Sequence, residues 1–245
     1  MEKSGYDMVK EFHQVFGHPV ENVLQKQIFT DNPEKVKFRL SLISEEINEF
    51  LEACEKKDIV EAVDALADTM YVVYGTFLVL GQNYNNYDCA QYSVYSFRSK
   101  NDPYNIFKNE DKLAKLDIET QTLDSNYKNL EKACENKDMT NTLKYLDLII
   151  ASCYVLSSIF DVNIDNCFEE VHRSNMTKLC KSVDEANNTV FWYKKNNNIY
   201  KNVDHRKVDG KVNGKEYWVV YDVDTTKILK SINFELPNLK QFIKY

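Results

Sequence analysis

Residues 33–80 read PEKVKFRLSLISEEINEFLEACEKKDIVEAVDALADTMYVVYGTFLVL, and they contain the clearest helix signals of the chain. Pro33 stands where a helix can begin, because its missing N–H costs nothing in a first turn. Asp58 precedes a long apolar run that Gly81 ends, and Glu61 completes a capping-box pattern three residues after Asp58. The stretch therefore predicts two long helices folded into a hairpin.

Acidic side chains recur along both predicted helices at helical spacing. The first helix carries Glu45, Glu46 and Glu49, and the second carries Glu61, Asp64 and Asp68. Residues three or four apart share a helix face, and like charges there repel each other. In an antiparallel hairpin the two acidic faces meet, and a cation would be needed to hold them together. Carboxylate ligands without Cys or a confirmed His favour Mg²⁺, with Mn²⁺ as a substitute.

The simpler interpretation is that these carboxylates are solvated surface groups and that Glu61 only belongs to a capping box. Asp64 and Asp68 argue against it, because they lie among alanine, valine, leucine and methionine residues. A half-buried carboxylate in such surroundings needs a compensating partner. The joint pattern favours a metal site.

An internal repeat appears when the chain is shifted by 80 residues, since ACEKKD at 53–58 then aligns with ACENKD at 133–138. The alignment predicts a first hairpin at about 33–83 and a degenerate second hairpin at about 113–163. The acidic positions of the first are occupied in the second by Ser125, Asn126, Asn129, Asn141 and Lys144. We therefore expect an all-α, four-helix-bundle-type core in which the second hairpin contributes no metal ligand.

The remaining segments are predicted to be accessory. A short helix is expected at 6–17, and residues 84–112 look like a connector. After a further helix at 183–195, residues 217–221 and 227–232 are expected to form a small β-hairpin. The predicted domains are 1–182, all-α, and 183–245, a C-terminal extension.

Composition narrows the classes of function. The net charge of -7 argues against a nucleic-acid polymer as partner, because that requires a basic face. The six cysteines show no CxxC spacing, which favours reduced core thiols in the cytoplasm. The longest apolar stretch, 70–80, is too short for a bilayer, so no membrane association is expected.

The spacing Glu45-Glu46-x-x-Glu49 followed by Glu61-x-x-Asp64 resembles the EExxE…ExxD signature of MazG-like all-α nucleoside triphosphate pyrophosphohydrolases. Residues 6–83 and 161–180, including the segment EVHRSNM at 170–176, are similar to the phosphoribosyl-ATP-pyrophosphohydrolase-like branch. In that branch the two segments are nearly adjacent, whereas here about 80 residues lie between them. This arrangement resembles the fused pseudo-dimer of dimeric dUTPases.

The resemblance implies Mg²⁺-dependent hydrolysis of a nucleoside triphosphate to the monophosphate and pyrophosphate. It implies that Glu46, Glu49, Glu61 and Asp64 bind metal, with Asp68 as a further ligand or supporting group, and that Glu45 is the general base. The implied substrate-binding residues are Arg39, His172, Arg173, Asn175 and Lys178. For Arg173 an ordinary surface ion pair is an equal alternative.

Several functions remain open at this point. The substrate could be a deoxynucleotide such as dUTP or dCTP or a non-canonical nucleotide, consistent with nucleotide-pool house-cleaning. Phosphoribosyl-ATP hydrolysis is the nearest enzymatic alternative, and a nucleotide sensor or scaffold is the non-enzymatic one. The pair Glu169-x-x-His172 also occurs in di-iron bundles, but no second such pair is present. Unmatched apolar faces favour a homodimer.

Overall fold

The structure is a computed structural model that describes residues 3–84, 107, 109–196, 199–210, 212 and 214–243. The predicted connector 84–112 lies largely outside these residues. The described α-helices are α1 Gly5–Phe16, α2 Ile28–Asp31, α3 Pro33–Lys56, α4 Ile59–Leu80, α5 Glu110–Glu135, α6 Met139–Ile159, α7 Ile164–Met176 and α8 Val183–Asn196. Two strands, β1 Val203–Lys207 and β2 Trp218–Asp222, and a short 3-10 helix, Leu239–Phe242, complete the elements.

The chain divides into two compact units. The first unit contains residues 1–9, 20–171 and 238–245, and the second contains residues 10–19 and 172–237. Helix α7 contributes residues to both units. The predicted domains, 1–182 and 183–245, stay a prediction.

The first unit confirms the predicted helical bundle, in which α3 and α4 form one hairpin and α5 and α6 form the other. Helix α4 is buried along almost its whole length and packs on α6 as well as on α3. The Tyr127 hydroxyl of α5 donates to the Leu40 carbonyl of α3 at 3.2 Å. At the other end Phe50 meets Phe160 edge to face at 6.4 Å. These contacts join the two hairpins through a continuous apolar core.

The two hairpin turns have the same local geometry. Lys57 and Lys137 each adopt the left-handed conformation with φ 57°. The N–H of the following aspartate, Asp58 or Asp138, donates to the carbonyl five residues earlier at 2.9 Å in both turns. Each aspartate side chain then caps the next helix by accepting a backbone N–H bond. The turns are therefore alike, while the internal repeat remains a prediction.

Helices α4 and α6 are long and apolar enough to span a bilayer by length and composition alone. In their most apolar windows, however, 83% and 61% of the residues are buried inside the protein. Core helices of globular proteins share these properties.

The second unit packs α8 against a two-stranded antiparallel sheet. Its core consists of Cys180, Ala186, Tyr193, Val203, Val220 and Leu229. The register pairs Val203 with Asp222 and Lys207 with Trp218. The sheet confirms the small C-terminal β-structure, although the longer pairing of β2 is with β1. The start of the predicted segment 227–232 pairs with the end of β2 through an antiparallel bridge between Ile228 and Tyr221. The Asp222 N–H donates to the Lys227 carbonyl and the Leu229 N–H to the Val220 carbonyl, both at 2.9 Å.

Candidate active site

The acidic residues lie where the apolar faces of α3 and α4 meet. Ile43, Ile47 and Phe50 form the buried stripe of α3, and Glu46 beside it is half-buried. On α4, Asp64 and Asp68 are half-buried within a run of residues that are otherwise fully buried. Glu45, Glu49 and Glu61 are exposed. The cluster therefore reaches from the bundle core to its surface.

Glu46 is the electrostatic centre of this cluster. Burial, followed by the charges of Asp68, Glu49, Glu45 and Asp64, raises the pKa of its carboxyl from 4.5 to about 9. The structure thus brings five of the six predicted acidic residues into one interacting group. Each of the other four carboxylates repels the ionised form of Glu46, and a bound cation would relieve that repulsion.

Glu61 is the exception, because it does not contribute to the shift at Glu46. It is also not a complete capping-box member. Its N–H donates to the Asp58 carboxylate at 3.2 Å, whereas the Asp58 N–H bonds to the Ala53 carbonyl. The Glu61 carboxylate therefore lies at the exposed rim, one turn before Asp64.

The cluster consists of the carboxylate ligands that a hard divalent cation prefers. In the structure, however, these carboxylates are not arranged around a common point. Within residues 3–84 and the other described segments, no three His, Cys, Asp or Glu side chains are gathered closely enough to hold a metal ion as they stand. The donor set nevertheless consists only of carboxylates around a half-buried glutamate, which suits Mg²⁺ or Mn²⁺. Binding would require small side-chain movements toward Glu46.

The second hairpin has a neutral polar network at the corresponding place. The Asn126 side chain donates to the Ser152 hydroxyl at 3.2 Å, and that hydroxyl donates to the Leu148 carbonyl. Asn129 and Lys144 are exposed. Amides and hydroxyls satisfy each other here without any added charge.

Arg39 connects α3 to α4 two helical turns before Glu46. Its Nε donates to the Thr76 hydroxyl at 3.1 Å, and its terminal nitrogen donates to the Val72 carbonyl. Burial lowers the pKa of the guanidinium to about 10. Arg39 also lines a narrow apolar cleft that involves both hairpins. Two of its donor groups are thus used in holding the hairpin, and its role toward a substrate remains a prediction.

Helix α7 supplies neighbours of the acidic cluster that the sequence did not indicate. Phe168 stacks on Tyr71 with 5.5 Å between ring centroids. Burial, followed by the nearby charge of Asp64, raises the pKa of the Cys167 thiol to about 12. An isolated buried cysteine gives no sequence signal that would mark it as part of a site.

The other predicted substrate-binding residues lie in the second unit. His172 is buried, and its Nε2 lies 3.3 Å from the Glu11 carboxylate. Arg173 donates to the exposed Glu235 carboxylate at 2.6 Å, which matches the ion-pair alternative. Lys178 places its ammonium 5.7 Å from the centre of the Phe12 ring. Asn175 is half-buried. The partner of His172, Glu11, was not among the predicted site residues.

The acidic cluster thus lies on one helical hairpin of an all-α bundle. Residues 9–85 match the family model PRA-PH, Phosphoribosyl-ATP pyrophosphohydrolase. The chain belongs to the MazG-like pyrophosphohydrolase superfamily, as its acidic signature predicted.

The chain is also similar to an uncharacterized protein of Acanthamoeba polyphaga mimivirus over nearly its whole length. The two are 33% identical over 246 residues, covering 98% of this chain and 96% of the viral protein. This likeness includes the second hairpin and the C-terminal strands, which lie beyond the family match. No solved structure matches the chain.

Proposed function

We propose that the first unit hydrolyses a nucleoside triphosphate to the monophosphate and pyrophosphate with the help of Mg²⁺. The observation that supports this function is the half-buried Glu46 carboxyl surrounded by Glu45, Glu49, Asp64 and Asp68. Such a cluster destabilises a helical hairpin unless a cation neutralises it. Perturbed carboxylates of this kind concentrate at functional sites.

The cation would be held by Glu46, Glu49, Asp64 and the rim carboxylate of Glu61, with Asp68 as a further ligand or a supporting group. When bound, the ion supplies positive charge to the phosphate oxygens and makes a nearby water more acidic. Glu46 and Asp68, on opposite helices, would fix the spacing of the two ligand sets. The apolar core behind them keeps α3 and α4 from separating as substrate charge enters.

Glu45 is suited to the proton transfer, because it is adjacent to Glu46 and exposed to solvent. Water attacks the α-phosphorus and gives one proton to the Glu45 carboxylate. A new P–O bond forms as the bond to the bridging oxygen breaks, and pyrophosphate leaves with that electron pair. Glu45 then returns its proton to solvent.

The substrate class follows from the family and not from a recognised base pocket. A deoxynucleotide such as dUTP or dCTP, or a non-canonical nucleotide, would give the protein a house-cleaning role in the cytoplasm. The description of the matched family makes phosphoribosyl-ATP the second candidate. Both substrates are cleaved at the same kind of anhydride bond.

The experiment is an anion-exchange product assay over ribo- and deoxynucleoside triphosphates, modified nucleotides and phosphoribosyl-ATP, with Mg²⁺ or with EDTA. We expect a monophosphate and pyrophosphate in equal amounts, only with metal. Release of inorganic phosphate in place of pyrophosphate would refute the reaction. Binding without turnover would instead favour a nucleotide sensor.

Variants of the two hairpins test the residue roles. Glu49→Gln and Asp64→Asn preserve volume and should lower kcat at least about a hundredfold, because each removes a charge from the ligand set. Asn129→Ala and Lys144→Ala change exposed positions of the second hairpin and should leave kcat within about twofold. Retained activity in both acidic variants would overturn the metal assignment.

A further inference from the structure

The outer face of α8 carries two exposed aromatic side chains. The buried face of this helix, with Ala186, Thr189 and Tyr193, packs against the two-stranded sheet. Phe191 and Trp192 point away from that face and are 67% and 47% exposed. Two adjacent exposed rings form a contiguous apolar patch, and such patches mark contact surfaces more often than single exposed residues do. The proposed hydrolysis uses neither residue.

Helical spacing places a lysine between the two rings. Residues 188, 191, 192 and 195 follow the i, i+3, i+4, i+7 pattern, so Asn188 and Lys195 share one face with the aromatic pair. Lys194 lies at the edge of this face, and both lysines are exposed. We call residues 188, 191, 192, 194 and 195 the aromatic–lysine face.

The positive charge of this face is not compensated by nearby acidic groups of the helix. Neither Lys194 nor Lys195 forms an ion pair within the described segments of the chain. Asp184 and Glu185 belong to the first turn, about 15 Å away along the helix axis, which exceeds the screening length of about 8 Å at physiological salt. The negative end of the helix dipole offsets only about half a charge. A partner that carries negative charge would therefore be attracted here.

Trp192 is held in place before any partner binds. Its ring meets the Tyr193 ring edge to face with 5.1 Å between the centroids, and the buried Tyr193 donates its hydroxyl to the Lys230 carbonyl at 3.1 Å. The Asn196 side chain donates to the Trp192 carbonyl at 3.0 Å and fixes the last turn of the helix. An ordered ring loses little conformational freedom when a flat partner stacks on it.

The charge of the second unit differs in sign from that of the whole chain. Residues 10–19 and 172–237 contain 13 Lys and Arg and 9 Asp and Glu, a net charge of +4. The whole chain carries -7, so the rest of the chain carries -11. The expectation that no nucleic-acid polymer binds followed from the charge of the whole chain, and the second unit taken by itself does not meet its premise.

We propose that the aromatic–lysine face binds a single-stranded nucleic acid. Phe191 and Trp192 would stack on unpaired bases, while Lys194 and Lys195 would pair with neighbouring phosphates. A membrane surface is less suited, because the apolar stripe of α8 is already used against the sheet and the outer face carries asparagine instead of aliphatic residues. A second copy of the same face would bring like charges together. The site does not depend on the hydrolytic function of the first unit.

The experiment is fluorescence anisotropy of a labelled oligothymidylate of about 12 nucleotides, titrated with the full chain in EDTA to prevent metal-dependent turnover. We expect saturable binding that weakens with salt, with a slope of about -1.4 for log K against log salt, because two phosphates are neutralised. A duplex of the same length should bind at least tenfold more weakly, since its bases are already stacked on one another. Absence of binding, or equal affinity for the duplex, would overturn the proposal.

Two further measurements test the other partners. Co-sedimentation with vesicles of phosphatidylcholine and phosphatidylserine measures membrane binding, and sedimentation equilibrium measures self-association. Vesicle binding without oligothymidylate binding would identify a membrane surface and refute the proposal. Self-association that Trp192→Ala abolishes, again without oligothymidylate binding, would identify a second copy of the chain as the partner and refute it equally.

Variants of α8 locate the binding. Phe191→Ala and Trp192→Ala should each weaken oligothymidylate binding about tenfold, because each removes a stacking surface, whereas Trp192→Phe keeps a ring and should lose less than about threefold. Lys195→Gln should reduce the salt slope by about 0.7. The matched control is Phe38→Ala, which removes a 56% exposed ring of α3 and should bind like the wild type. Unchanged affinity in both α8 alanine variants, with thermal unfolding showing an intact fold, would place the oligothymidylate elsewhere and refute the assignment.

Discussion

Replacing Glu46 with glutamine should stabilise the metal-free protein at neutral pH while abolishing turnover. The pKa of Glu46 is raised from 4.5 to about 9, so at pH 7 its carboxyl is protonated in the folded chain and ionised in the unfolded chain. Taking up that proton 2.5 pH units above the ordinary pKa of 4.5 costs the folded state about 3 kcal/mol, at about 1.36 kcal/mol per unit. Glutamine has nearly the same shape and carries no such cost.

The assay is thermal unfolding in EDTA at several pH values. Because the folded-state pKa is raised, the penalty is absent below pH 4.5, grows as the pH rises and levels off above about 9. Glu46→Gln should therefore raise the Tm by about 6 °C or more at pH 7 and by less than about 1 °C at pH 4. Mg²⁺ should raise the Tm of the wild type and have much less effect on the variant.

The control is Glu52→Gln, which removes an exposed carboxylate of α3 that pairs with Lys56 at 2.9 Å. It should leave the Tm unchanged within about 1 °C at either pH, because an exposed ion pair contributes little to stability. A loss of stability in Glu46→Gln at pH 7, or a gain that is equal at pH 4 and pH 7, would show that burial and the neighbouring charges do not raise the pKa of Glu46.

Three further predictions concern the framework of the site. Gly81→Ala should destabilise the protein by more than about 2 kcal/mol in urea unfolding, because φ is 73° and the new Cβ would collide with a backbone carbonyl. The control is Gly210→Ala, where φ is 81° but the surrounding space is open, and it should destabilise the protein by only about 1 kcal/mol. Asp58→Ala and Asp138→Ala should each lower the Tm by about 2–4 °C, since both remove a helix cap. A much larger drop in only one of the two variants would contradict the likeness of the two turns. Burial, followed by the charge of Asp117, raises the pKa of the Cys54 thiol from 9.0 to about 12. Iodoacetamide at pH 8 should therefore label Cys54 about a thousandfold more slowly in the native protein than in the urea-unfolded protein. Rapid labelling of the native protein, measured by mass spectrometry, would refute this.

Local signals predicted the first hairpin closely. Pro33, Asp58 and Gly81 mark the ends of α3 and α4 within a residue, because proline, capping and left-handed glycine act over a single turn. The interaction of Glu46 with Asp68 could also be anticipated, since helical spacing and an antiparallel turn determine which carboxylates face each other.

Contacts between residues far apart in the chain were harder to predict from the sequence. The strand 203–207 contains Asp, His, Arg and Lys among its five residues, so it lacks the apolar alternation that marks a strand, and only pairing with β2 establishes it. The contact of His172 with Glu11 joins residues 161 positions apart, and no spacing rule predicts it.

The neutral network of the second hairpin has a consequence for how this chain can vary. Asn126 and Ser152 satisfy each other within the bundle, so α5 and α6 can hold their shape without any ion or substrate. We therefore expect substitutions at the exposed positions of this half, such as Asn129 and Lys144, to be tolerated among relatives. The α3–α4 half differs, because its carboxylates oppose folding. They should persist among relatives only while catalysis requires them. The two halves of the bundle should therefore accumulate substitutions at different rates. The ratio of these two rates would indicate whether the acidic cluster is in use.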